Sequence, residues 1–182
     1  MELVDGIEAA ACGALDDLLR ETGGVHPPTV HILAEDLEQP YVAYVTCRPF
    51  YRGADAAAAV AELGLLPSAL AATRLLVTWE AEDLNVALEI PPDPDGTALV
   101  VLDASLTEQV IHWYPLRLRP GGRGEHAVVV AEWGPPVQLP DPPLPGPVAV
   151  LLAVWRQWHD ADLNETVIRL ESAGHRVRWI AR

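Results

Sequence analysis

At 182 residues, half of them apolar, the chain suits one domain and carries enough nonpolar surface for a core, which argues against disorder. Its apolar runs fall short of the roughly 18 residues of a membrane span, and its first basic residue is Arg20, the wrong start for a secretory signal. A cytoplasmic protein off the membrane is expected, and the net charge of −14 works against general nucleic-acid binding, which needs cations to neutralise phosphate.

That charge is uneven. Residues 1–110 hold 19 acids and 4 arginines, a balance of −15, whereas residues 111–182 hold 7 acids and 8 arginines, a balance of +1. There is no lysine, which removes the phosphate-loop lysine and Schiff-base chemistry. Cys12 and Cys47 fall on separate apolar elements and read as small hydrophobes, not as a disulfide.

Residues 2–22 repeat Leu3, Ile7, Ala11, Leu15 and Leu19 at helical spacing, and Gly23 and Gly24 end that helix. Asp5, Glu8 and Asp16 are assigned to its solvated side. Strands follow at 29–34 and 41–47, with His31 expected to be packed and hydrogen-bonded inside the first. Asp55 suits the N-cap of an alanine-rich helix over 56–63, Gly64 ends it, and Pro67 opens a short helix through 72.

Residues 74–108 read as three strands reversing at 80–84, 91–96 and 104–107. Two more strands, 108–118 and 125–133, flank the glycine-rich residues 120–124. A phosphate loop runs from a strand into a helix, so glycines between two strands mark a hairpin and not a nucleotide site. Seven prolines in residues 135–147 predict an extended strap or linker. Pro140-x-x-Pro143 and Pro142-x-x-Pro145 lack the basic flank that would mark a recognition peptide. A helix over 148–158 carries Trp155 and Trp158 toward the core; Asp162 caps another through 173, stopped by Gly174; and 175–181 alternates as a strand.

The fold expected is α+β: an N-terminal helix, a hairpin, a helical crossover, a five-strand antiparallel meander and C-terminal helices around a mixed, mainly antiparallel sheet. Residues 1–134 would form the core domain, 135–147 the strap or linker, and 148–182 the C-terminal helices and final strand packed on that domain. The early order of helix, two strands, helix and strands resembles that of small dimeric scaffold domains of the roadblock type. The likeness is one of element order only, with no motif behind it.

The three reversals collect Glu80, Glu82, Asp83, Asp103 and Glu108 at one sheet end. Glu80 and Asp103 would share a face at roughly 10 Å, two strand spacings. That separation suits an acid–base pair, and Asp83 would complete a divalent-metal set of Glu80, Asp83 and Asp103. The plainer reading is solvated turn carboxylates. His112 and His126 lie on adjacent strands but out of register, and His159 and Asp162 read as a helix end and cap. Serine occurs only at 68, 105 and 172, with no nucleophile elbow. No cofactor signature is present. The leading expectation is a non-enzymatic, self-associating interaction module whose acidic face meets a basic protein partner or a second copy. The alternative is a metal-assisted hydrolase. Nucleic-acid contact through Arg117, Arg119, Arg123, Arg176 and Arg178 is disfavoured by the overall charge.

Overall fold

The computed structural model describes residues 3–91, 97–121, 128–157 and 161–180. In chain order the elements are α1 (Leu3–Glu21), β1 (Thr29–Leu33), β2 (Tyr41–Thr46), α2 (Ala54–Glu62), α3 (Leu65–Ala69), β3 (Arg74–Glu80), α4 (Ala81–Ala87), β4 (Ala98–Ser105), β5 (Gln109–Gly121), β6 (Val128–Trp133), β7 (Val137–Pro140), α5 (Gly146–Arg156), α6 (Leu163–Ala173) and β8 (Arg176–Trp179). The class is α+β, as the alternation of patterns predicts.

Every strand pairing is antiparallel, in the order β6-β5-β4-β3-β1-β2-β8, and β7 also pairs β5. β3 is buried at every position after Arg74, which fits its central place, covered on both faces. Leu75, Val77 and Trp79 meet Val30, Ile32, Val100 and Leu102 in the main core, beneath Val60, Leu63, Leu66, Leu151, Trp155 and Leu170 from the helices. The Trp155 indole donates to the Ala72 carbonyl at 2.9 Å. The opposite face, with Leu76, Leu99, Val101 and Leu116, is covered by α1 through Ile7, Ala11, Leu15 and Leu19.

Several expectations need correction. Residues 81–87 are a helix and not the middle strand of three. Leu84, Val86, Leu88 and Ile90 alternate as a strand would, but Ala81, Leu84 and Ala87 also recur at helical spacing, and it is this second set that is buried. Val86 and Ile90 stay exposed. Asp55 lies inside α2, whose N-cap is Gly53; its carboxylate accepts instead from the Tyr51 amide and the Arg48 guanidinium. Pro67 sits at the third position of α3, after Leu65. The cap of Asp162 on the Glu165 amide and the left-handed Gly174 (φ 101°) match expectation.

β6 and β7 lie end to end along one side of β5. Leu116 pairs with Trp133 and Trp113 with Val137, so three residue steps on β5 match four on its partner. This one-residue bulge at 134–136 exchanges the faces presented by odd and even residues. Part of the proline-rich stretch is therefore a ladder strand. Pro140 is tolerated because it ends β7, where the next donor is the Asp141 amide, bonded to the Gln109 carbonyl. The hairpin places Leu118 opposite Ala131, while His112, further along β5, faces Val101 and Gln138. His126, Trp158, His159 and Arg123 lie outside the described residues.

Candidate functional site

The predicted carboxylates divide between the two ends of the sheet. Glu80 pairs across from Leu99 and Asp103 from Leu76, four residues apart along β4 and so roughly 13 Å by strand rise. The shared face survives, but the proximity does not, because it rested on a strand that is a helix. Asp103 accepts both Nε (2.8 Å) and Nη2 (2.7 Å) of Arg74, whose Nη1 donates to Glu35 at 3.1 Å. A bidentate fork of this kind neutralises Asp103 and removes it from any metal set. Glu108 lies in the β4–β5 turn at that same end, where its carbonyl accepts from the Ser105 amide and from Arg156.

Glu80 and Asp83 do come together, at the other end. Glu80 is the last residue of β3 and the N-cap position of α4, and its side chain caps nothing. It is buried, with Oε2 lacking a partner among the described residues. Burial, helped by the nearby Asp83 charge and opposed by hydrogen bonding from the His26 backbone, pushes its carboxyl up to about 7. Asp83 is also raised by burial, against the pull of Arg52. Glu82 is exposed and accepts from the Thr97 hydroxyl at 2.6 Å.

Asp83 borders a cleft of about 590 Å³ whose walls include Pro27, Cys47, Arg48, Phe50 and Arg176. Arg48 is held by Asp55 at 2.6 Å, and burial pushes the Cys47 thiol up to about 12, so that sulfur is no nucleophile at neutral pH. Behind the cleft, the buried His26 places Nε2 2.9 Å from the Thr78 hydroxyl and leaves Nδ1 without a partner. His31 lies on the same sheet face, with Nδ1 2.7 Å from the Tyr41 hydroxyl and Nε2 unpartnered, so the packing expected for it holds while its hydrogen bonding is half complete. Burial lowers both imidazoles to about 4. Both imidazoles are thus neutral near pH 7, and Glu80 is the group that titrates there. No group of three or more His, Cys, Asp or Glu among the described residues is arranged to hold a metal ion.

One cluster escaped sequence reasoning. Glu8, assigned to the solvated side of α1, is buried and accepts from His112 Nδ1 and from the Tyr114 hydroxyl (2.6 Å). The signal was there: Glu8 sits three residues before Ala11 and seven before Leu15, on the buried stripe. The neighbouring Cys12 thiol is pushed up to about 11, first by burial and then by Glu8, so no activated nucleophile completes the arrangement. It fastens α1 to β5. His175 is likewise satisfied, accepting from the Arg48 amide at 3.2 Å and donating to Glu62 at 3.1 Å.

The chain matches no family model and shows no significant similarity to a curated protein or a solved structure. No helix of the described residues is long and apolar enough to cross a membrane.

Proposed function

We propose that the protein is a non-enzymatic interaction module whose acidic surface receives a basic protein partner. The observation that carries this reading is the placement of exposed acids. Asp17 and Glu21 lie on the outer side of α1, and Glu35, Asp36 and Glu38 lie on the β1–β2 turn. Val4 and Ile7 share a cluster with Leu33 and Tyr41, which flank that turn, so the N-terminal end of α1, with the exposed Asp5, adjoins it. Asp17 and Glu21 carry the same sign of charge ten or more residues, roughly 15 Å or more, further along the helix. Among the described residues of these two segments Arg20 is the single cation, and from the neighbouring β3 Arg74 pairs with Glu35, leaving Asp36 and Glu38 to carry the charge of the turn. A field of one sign steers an oppositely charged partner and weakens with salt. Capture of a basic partner should therefore disappear in 500 mM NaCl and in the variant Asp17→Lys/Glu21→Lys/Asp36→Lys/Glu38→Lys. Capture that survives both would sink the reading. Self-association belongs to the same proposal and is read directly by light scattering.

The metal-assisted alternative now rests on Glu80 and Asp83, and what favours it is their proximity beside a cleft. Thermal-shift measurements with Mg²⁺, Mn²⁺, Ca²⁺ and Zn²⁺ should leave the midpoint within about 1 °C, since two carboxylates give a divalent ion few of the ligands it requires. A rise that Asp83→Ala abolishes would restore that chemistry.

A further inference from the structure

The eight-stranded sheet ends on β8, which pairs with β2 alone among the described residues. The Ile180 amide donates inward to the Val42 carbonyl at 2.9 Å. Strand alternation then turns the Arg178 and Arg176 backbone groups toward β2 and those of Val177 and Trp179 outward. Among the described residues, the outward Val177 carbonyl is met only by the guanidinium of its own neighbour, Arg178, at 3.3 Å. Val177 is 4% exposed beneath that guanidinium, so the edge offers the backbone groups of Trp179 directly and those of Val177 once Arg178 turns to an incoming acid.

Its side chains define what fits there. Arg176 and Arg178 are exposed, two residues apart and hence on one face, opposite Thr46 and Tyr44. Neither makes an ion pair with any described residue. On the other face Trp179 is 44% exposed, beside the buried Val177. A second copy is a poor occupant. An antiparallel twofold ladder centred on Val177 sets Arg176 against Arg178, and one centred on Arg178 sets that residue against itself. Like charges directly opposite destabilise a strand pair, and opposite charges stabilise it.

We propose that β8 is a docking edge for an extended acidic peptide segment of another protein, added as a ninth strand. Acids at alternate positions meet Arg176 and Arg178, and an apolar residue between them lies on the Trp179 side. This surface is separate from the acidic one and opposite in sign, so either proposal stands without the other.

The probe is a synthetic peptide of alternating Glu and Val, long enough to span the four residues of β8, with an alternating Lys and Val peptide as its counterpart. Binding of the acidic peptide is expected to weaken at least tenfold between 50 and 500 mM NaCl. It should be accompanied by slowed hydrogen exchange at the Val177 and Trp179 amides. Arg176→Glu/Arg178→Glu should lose the acidic peptide and gain the basic one; both side chains are exposed, and an unchanged circular dichroism melt verifies the fold. N-methylating the peptide amides that face β8 should abolish binding. Three results would overturn the proposal: no binding at 50 mM NaCl, binding indifferent to N-methylation, or single-stranded RNA binding the same arginines more tightly than the peptide. The last would make the edge a nucleic-acid contact.

Discussion

Glu80 and the imidazoles of His26 and His31 pull stability in opposite directions with pH. The folded state raises the Glu80 pKa from 4.5 to about 7, so its contribution is complete below pH 4.5 and is lost as pH rises through 7. The two histidines are lowered from 6.5 to about 4, so theirs is complete above pH 6.5 and is lost as pH falls through 4. At 1.36 kcal/mol per pKa unit, the limit for each group is about 3 kcal/mol. Glu80→Gln removes the ionisation while keeping the shape. Its melting temperature should exceed that of the native protein by several degrees at pH 8 and match it near pH 4.5, the difference opening between pH 4.5 and 7. The variant's loss of stability from pH 6.5 down to 4 is then the steeper of the two. A variant no more stable at pH 8 than at pH 4.5, relative to the native chain, would show that the buried carboxylate is compensated.

Gly64 shows how tightly two elements can be set by one missing methyl. A Cβ there would lie 2.4 Å from the Leu151 carbonyl oxygen, backbone against backbone, where α3 begins beside α5. Gly13, inside α1, has nothing within 4 Å of a Cβ. Gly64→Ala should therefore lower stability by roughly 1–3 kcal/mol through overpacking, while Gly13→Ala should raise it by about 0.5–1 kcal/mol through helix propensity. Denaturant midpoints of the two variants check both signs. Helices announced by caps and stripes, α1 and α6 above all, were legible in the sequence. α4 was not, because residues 81–90 satisfy both the two-residue and the helical period, and only burial of Ala81, Leu84 and Ala87 decides between them. The bulge at 134–136 was equally hidden, since its signature depends on which edge of β5 was still vacant.

At the scale of the whole molecule, the excess of negative charge should make the compact state self-repelling at low ionic strength. Raising NaCl from 10 to 200 mM should raise the melting temperature by a few degrees; a fall would mean that ion pairs such as Arg74 with Asp103 outweigh the net field. The sequence showed how many acids there are and which half holds them, but not their company. Glu80 and Asp83 stayed near each other because they are three positions apart in the chain, whereas Asp103 was drawn away by the register of β4 and by Arg74, a partner 29 positions distant.

The pairing of β8 with β2 has a consequence in time. Residues 41–46 acquire their outer neighbour from residues 176–179, more than a hundred positions later, so during synthesis the β2 edge stands open until nearly all of this sequence has been made. A slow, non-local closure of this kind is where a nascent chain is most exposed to the wrong strand. The arginines of β8 arrive with the closing strand, and from that moment the sheet's border carries positive charge in place of the uncharged residues of β2.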